Sequence, residues 1–301
     1  MTGMGEDWDV RGLFIINPKA GRGSSLRTWQ RIAHRVAGDA RYDAVIPSSY
    51  SETRRVAAEA VADGVDRVIV VGGDGTIVAV AQELAYTDTA MGVVPAGTGN
   101  DFARNIGLPR EPEAALHVAL GEQKRRIDLG QTVGGEYFIN AAGIGFDGEV
   151  AARAASFPKG LGGTLPYLAS AVTTLARYQP IPMTVTVDGD SVTGRCAMVA
   201  IANGQNYGGG MRIAPMADPL DGQLDVILAS ELGRLELLNL LRLVYTGGHV
   251  GHPKVRVLRG KHVHVGVSPQ VRRHYDGEIM SERAQEFRAA PQALAVVVPQ
   301  D

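Results

Sequence analysis

The sequence predicts an α/β fold in two parts. The N-terminal part is a nucleotide-binding domain on a parallel sheet, and the C-terminal part is a mainly antiparallel β-sandwich. Three observations carry this. Through residue 127, short apolar β-branched runs alternate with helical stretches, the pattern of parallel strands joined by crossover helices. From residue 128, strand follows strand across tight turns with few helices between, the pattern of antiparallel sheets. The closing run Ala293 to Val298 is apolar on both faces and suits a parallel sheet better than a solvated sandwich. The expected domains are therefore residues 1–127 with 288–301, and residues 128–287.

The elements follow in order. Leu13 to Ile16 is strand one, and Ser24 to Val36 the helix after it. Tyr42 to Ile46 is strand two, and Ser51 to Ala62 the next helix, with Ser51 as its N-cap. Val68-Ile69-Val70-Val71 is an unbroken β-branched run, which reads as a strand buried on both faces. A helix begins at Ile77, Met91 to Val94 is strand four, and Asn100 and Asp101 cap a short helix from Phe102 to Asn105. In the second half, Arg126 to Gly130 and Tyr137 to Asn140 are strands, and Ala142 to Asp147 is a glycine-rich link into a short helix. Leu165 to Tyr178 is a helix with Leu165, Leu168, Val172 and Leu175 at helical spacing. Met183 to Val187 and Val192 to Ala202 form a hairpin across Asp188-Gly189. Gln223 to Leu228, Val255 to Leu258 and Lys261 to Val267 are further strands, and the helix Arg234 to Tyr245 carries Leu235, Leu238, Leu241 and Leu243 as core. Cys196, the single cysteine, excludes an internal disulfide and reads as a small core residue.

In open α/β sheets, ligands bind beyond the carboxyl ends of the strands. Three turns fall on that rim: Asn17-Pro18-Lys19-Ala20-Gly21, Gly72-Gly73-Asp74-Gly75-Thr76, and Pro95 to Asn100. A strand feeding a glycine turn and a helix start leaves free N–H groups and a helix dipole, both of which favour an anion such as phosphate. Thr98, between Gly97 and Gly99, adds a hydroxyl. An ordinary tight βα turn is the plainer reading of the first two.

These motifs carry a resemblance. Gly72 to Thr76 is similar to the signature of the diacylglycerol kinase catalytic-domain family, which includes bacterial lipid kinases and sphingosine kinases. NAD kinases share the pentapeptide, and phosphofructokinases do so more distantly. It is not a Walker A loop, since no Gly-Lys-Ser/Thr follows. Pro95 to Ala103 resembles the family's Gly-Thr-x-Asn-Asp-Phe element, which NAD kinases lack, and Asn17 to Gly21 resembles its first nucleotide loop. The resemblance implies ATP held by Asn17, Pro18, Lys19, Ala20, Gly21, Gly72, Gly73, Asp74, Gly75, Thr76, Thr98, Asn100 and Asp101. Ser48 falls where the family often has a Thr contacting nucleotide, with Ser49 as the alternative. One departure stands out: Val78 and Ala79 replace an Asn and a Glu of the family, which bears on an Mg²⁺ or ribose contact.

The second half holds two further motifs. Asp218, Asp221 and Gln223 lie within six residues in a Pro/Gly turn. Hard oxygens so close suit Mg²⁺ or Ca²⁺, and an Asx turn capping the next strand suits them as well. The resemblance implies a structural Mg²⁺ there, bound partly through backbone carbonyls. Tyr275-Asp276-Gly277-Glu278 resembles the family's Asp-Gly-Glu, which implies Asp276 or Glu278 as the base that takes the acceptor proton. Asp-Gly is also a hairpin tip.

Composition bounds the rest. Hydrophobic residues make up 45% and charged ones 21%, and a net charge of -2 gives no argument for nucleic acid. Met1 to Asp9 is acidic without an apolar signal region, and no apolar run approaches a bilayer span, so the expected setting is cytoplasmic with peripheral membrane contact. Arg256, Arg259, Lys261, Arg272 and Arg273 read as a basic cluster, either a solvated face or one that meets anionic headgroups. His249, His252, His262 and His264 lack zinc spacing and read as surface or hairpin residues. The reading is an ATP- and Mg²⁺-dependent lipid kinase, acting on a lipid at the membrane surface, diacylglycerol first, as monomer or homodimer. Two alternatives stay open: a kinase of NAD or another small molecule, and a catalytically weak nucleotide- or lipid-sensing protein, motivated by Val78 and Ala79.

Overall fold

The computed structural model describes residues 10–155, 170, 173–175, 178–280 and 285–300. The helix expected over 165–178 lies largely outside the described residues, as does the acidic stretch 1–9. In the first half, strands β1 (Gly12–Ile16), β2 (Tyr42–Val45), β3 (Arg67–Gly72) and β4 (Ala90–Pro95) alternate with helices α1 (Ser24–Ile32), α2 (Tyr50–Ala62) and α3 (Asp74–Leu84). Short helices α4 (Asp101–Asn105) and α5 (Pro112–Leu120) follow. The strands pair in parallel in the order β4-β3-β1-β2. Because side chains alternate across a strand, Val68 and Val70 pack with α2 and α3, while Ile69 and Val71 pack with α1 and α5 on the other face. Both faces are covered, which is why the β3 sequence is apolar without alternation.

The second half contains β5 (Lys124–Thr132), β6 (Tyr137–Phe138), β7 (Ala141–Gly145), α6 (Phe146–Ala155), β8 (Ile181–Val187) and β9 (Asp190–Ala202). It continues with β10 (Leu224–Ser230), α7 (Arg234–Leu243), β11 (Val255–Gly260), β12 (His262–Gly266), β13 (Arg273–Tyr275), β14 (Glu278–Ile279) and β15 (Glu286–Val297). Its pairings are antiparallel, and one apolar cluster fills the inside of the strands while a second lies between the sheet and helices α6 and α7. Cys196 is buried within the first of these clusters, as expected.

β15 joins the halves. Its start pairs with β12, its length runs antiparallel to β5, and Val296 pairs in parallel with Met91 of β4. The chain thus returns to the parallel sheet, and β5 and β15 carry hydrogen bonding continuously across the expected boundaries. The β5–β15 register slips between Ala290 and Leu294, where Pro291 cannot donate and Gln292 takes a positive φ of 49°. Asp128 of β5, 1% exposed, closes this bulge by accepting from Gln292 N at 2.7 Å and from Gly222 N at 2.6 Å.

Several local expectations need correction. Helix α2 is capped by Ser49, whose hydroxyl accepts from Glu52 N, not by Ser51. The stretch from Ala142 is strand β7, not a link. Small residues occupy it because a Cβ on Gly143 would meet the Asp147 carboxylate at 2.2 Å and His274 at 2.4 Å. In α7 the buried leucines are Leu237 and Leu240, while Leu235 is 83% and Leu238 44% exposed. The run of leucines offers two helical stripes, and only the sheet beneath selects one. His249 is buried, its Nε2 donating to Ile213 O at 2.9 Å, whereas His262 and His264 are exposed on β12 as expected. The basic residues do not form one patch. Arg273 is buried and donates to Val271 O, Arg259 pairs with Asp221, and Arg272 pairs with Glu149.

Candidate active site

The three glycine turns meet at the carboxyl edge of the parallel sheet. Helix α3 starts at Asp74, not Ile77, so Asp74, Gly75 and Thr76 form its first turn. Gly73 and Gly97 touch, since a Cβ on Gly97 would lie 2.5 Å from Gly73 Cα, so two turns pass at backbone distance. The Asn17 loop stands behind them. Asn17 Nδ2 donates to Thr76 Oγ1 at 2.8 Å, and Lys19 Nζ donates to Ser48 O at 2.9 Å. Pro18 and Ala20 carry this loop into Gly21, whose positive φ of 54° and lack of Cβ let it pass Ala96 O. Ser48 uses its own hydroxyl on Glu52 at 2.6 Å, and Ser49 is spent as the α2 cap.

One cleft gathers Asp74, Thr98, Asp101, Asn140, Tyr207 and Asp276. Each carboxylate has a distinct role. Asp74 Oδ1 accepts from Phe102 N at 3.1 Å, so Asp74 caps α4 in place of Asn100 and Asp101. Asn100 has a left-handed backbone and its Oδ1 accepts from Gly97 N at 2.9 Å, which closes the turn instead. Asp101 reaches across the cleft and accepts from Gly209 N at 2.6 Å and Gly210 N at 2.7 Å. Asp276, the first residue of the β13–β14 turn, accepts from Ile139 N, Asn140 N and Ala141 N at 2.6, 2.9 and 3.2 Å. Asp276 and Gly277 both have positive φ, the form of a two-residue hairpin turn, so the hairpin and the site are one object.

Crowding of acids sets the electrostatics. Burial first, then the Asp101 charge, push the Asp74 carboxyl up to about 6, with the Phe102 N–H opposing. Burial likewise raises Asp276, against the pull of its three N–H donors. Glu278 is different: it is exposed, and its Oε1 stands 4.0 Å from where a Cβ on Gly75 would be, over the start of α3. Burial pushes the neighbouring Tyr50 hydroxyl up to about 12, with Arg54 opposing and Glu136 and Glu278 adding.

Val78 and Ala79 are fully buried on α3, Val78 within the core against the sheet, and neither lines the cleft. Their apolar identity matches their surroundings.

The Asp218–Gln223 turn is elsewhere. Asp218 Oδ1 accepts from Leu220 N at 3.1 Å and Asp221 Oδ1 from Gln223 N at 2.9 Å, two Asx turns, and Asp221 Oδ2 pairs with Arg259. A cation there would have to take both Asp221 oxygens from Gln223 N and Arg259, whereas Asp218 commits one oxygen to its Asx turn. Among the described residues no group of three His, Cys, Asp or Glu is arranged to hold a metal unaided. In the cleft the donor set fits Mg²⁺ differently. Asp101 and Asp276 are committed to backbone, and Asp74, crowded by both, suits an ion that takes one or two protein carboxylates and completes its shell with phosphate and water.

Sequence reasoning missed a buried group that reaches the cleft through Tyr207. Tyr207 OH donates to Asp147 Oδ1 at 2.7 Å, and His274 Nε2 lies 3.0 Å from Asp147 Oδ2 with its ring stacked on Tyr207. Tyr207 and Gly208 line both the cleft and a second, apolar cavity of about 110 Å³. That cavity lies between the sheet and helices α6 and α7, walled by Phe146, Met198, Met211, Ile227 and Leu240. The available signal was the glycine run 208–210, whose three positive φ values let the loop fold against Asp101.

Comparison with known proteins places this geometry. The profile of the diacylglycerol kinase catalytic domain matches residues 11–132, and that of the YegS C-terminal NAD kinase beta sandwich-like domain matches residues 140–298. A diacylglycerol kinase of Mycobacterium tuberculosis is 34% identical over 95% of this chain and 94% of that protein. One of Bacillus subtilis is 30% identical over 83% of each. A crystal structure of a diacylglycerol kinase from Bacillus anthracis superposes with TM-score 0.72 at 19% identity, covering 96% of this chain and 97% of that one. A second crystal structure from the same organism reaches TM-score 0.82 at 21% identity, covering 96% and 95%. Two family profiles that together span nearly all the described fold, and relatives at this identity over nearly the whole chain, lead to one conclusion: the protein belongs to the diacylglycerol kinase family and is a lipid kinase.

Proposed function

We propose that this kinase transfers the γ-phosphate of Mg²⁺·ATP to the free hydroxyl of diacylglycerol, giving phosphatidic acid. One observation carries the choice of a lipid acceptor with acyl chains. The carboxylate-lined cleft and the apolar cavity share Tyr207 and Gly208, so a molecule with its polar end in one has room for hydrocarbon in the other. The names of the curated relatives favour diacylglycerol within that class. Helices α6 and α7 supply the walls of that cavity.

The chain's own groups divide the work. The α3 N-terminus and the turns at Gly72–Thr76 and Gly97–Asn100 offer N–H groups and a positive dipole end to the phosphates. Bound Mg²⁺ supplies charge neutralisation on the transferring phosphoryl group, and Asp74 is the residue that would hold it. Glu278 takes the proton of the acceptor hydroxyl, because it is exposed over the start of α3 next to Gly277 of the cleft, while Asp276 spends both oxygens on backbone N–H groups. Asp276 is then a positioning residue that fixes the turn carrying Glu278. Most of the rate comes from positioning and charge stabilisation, as in other phosphoryl transfers.

The test is transfer from labelled ATP to diacylglycerol in mixed vesicles, beside arms with NAD and with no acceptor. Labelled phosphatidic acid is the expected product. Label on NAD and none on lipid would overturn the proposal.

A further inference from the structure

The α7 helix carries an outer face that the core does not explain. Leu235 is 83% exposed, Leu238 44% and Tyr245, in the turn after the helix, 47%. With Arg242 they fall on one helical stripe, spaced by three, four and three residues. The opposite stripe, Leu237 and Leu240, walls the apolar cavity, and Tyr245 also lines it, so the exposed stripe runs along the cavity's own wall. Leucines this exposed cost solubility unless something covers them, and a contiguous apolar strip beside a cavity marks an interaction surface.

The charges around the strip identify the occupant. Arg234 and Arg242 are exposed and have no acidic partner among the described residues, while Glu236 is already paired with Lys254 at 2.8 Å and Glu231 lies 3.9 Å from Arg195. The strip is therefore apolar with a net positive rim, the arrangement of a helix lying in the headgroup layer of an anionic bilayer. We infer that α7 is the docking element of this enzyme: Leu235 and Leu238 enter an anionic membrane surface, Arg234 and Arg242 meet its headgroups, and the cavity wall is thereby set at the bilayer. This rests on the lipid-acceptor reading above and adds to it the surface by which the acceptor is reached. It moves membrane contact from the basic residues between Arg256 and Arg273 to α7.

The test separates docking from chemistry. Binding is read by co-sedimentation of the full chain with vesicles of phosphatidylcholine and phosphatidylglycerol, and chemistry by turnover of a short-chain diacylglycerol dispersed below its aggregation limit. Leu235→Gln with Leu238→Gln should lower vesicle partitioning by at least about ten-fold, and Arg234→Ala or Arg242→Ala by about five-fold each, an effect lost on neutral vesicles. Short-chain turnover and thermal stability should not change in any of these, since none of the residues lines the cleft or cavity. Wild-type partitioning in the double-leucine variant overturns the proposal, and so does failure of the wild type to bind anionic vesicles. A wild-type dimer that the leucine changes dissociate, with vesicle binding unaltered, assigns the strip to a second copy of the chain and likewise overturns it. If short-chain diacylglycerol is not phosphorylated while vesicles are still bound through α7, the acceptor reading fails and the docking surface stands.

Discussion

Asp74→Asn should make the nucleotide-free protein more stable while stopping its chemistry. Asp74 is half-buried at the cleft wall, beside two other carboxylates, and its carboxyl is lifted from the ordinary 3.8 to about 6. A shift of that size corresponds to about 3 kcal/mol at neutral pH. The sign follows from linkage. The folded protein holds the proton more tightly than the unfolded chain, so the benefit of protonation is complete below about pH 4 and is lost as pH rises through about 6. At pH 7 the ionised Asp74 is thus a net cost, which Asn removes while keeping an oxygen for Phe102 N–H. Water in the cleft screens part of the repulsion, and the second amide oxygen is lost, so a gain of about 1–2 kcal/mol is the working figure. For a chain of this length that is a rise of roughly 2–4 °C in Tm. The assay is thermal unfolding without nucleotide from about pH 4 to pH 8, paired with ATP turnover at neutral pH. The variant should gain at pH 7, match wild type near pH 4, and lose turnover by orders of magnitude. A Tm difference that is constant with pH, or a variant less stable than wild type at pH 7, would refute the account of the carboxylate cluster.

Other outcomes follow from the same geometry. Glu278→Gln should lower turnover by about 10²–10⁴-fold with unchanged Tm, because the residue is exposed and its proposed role is proton transfer. Asp276→Asn should instead cost roughly 2–4 kcal/mol in denaturant unfolding, since an amide nitrogen would face N–H groups at 2.6–3.2 Å. Leu240→Trp, which fills the apolar cavity, should raise KM for long-chain acceptors at least about ten-fold while leaving short-chain turnover intact. Asp221→Ala should destabilise by about 0.5–2 kcal/mol through the lost Asx turn and Arg259 pair, equally with and without Mg²⁺. A Tm loss seen only in Mg²⁺ would instead make the loop a cation site.

Much of this protein was legible in one dimension. Strands β1 to β4 announce themselves as β-branched runs, and the glycine turns after them follow from the need for close backbone approach, here realised where Gly73 touches Gly97. The return of β15 to the parallel sheet was readable because a strand covered on both faces has no polar alternation. These signals are local, and local periodicity is what a sequence encodes directly. Tertiary structure alone decided what each polar group does, because its partner lies far along the chain. Asp74 caps α4 from 28 residues away, Asp101 binds a glycine loop 108 residues on, and Asp276 is fixed by backbone 135 residues earlier. That last contact separates Asp276 from Glu278, two acids that sequence leaves equivalent. The same holds for the leucines of α7: with Leu at six of ten positions the helix has no unique apolar stripe, and only the sheet and cavity beneath it decide which are core and which face outward.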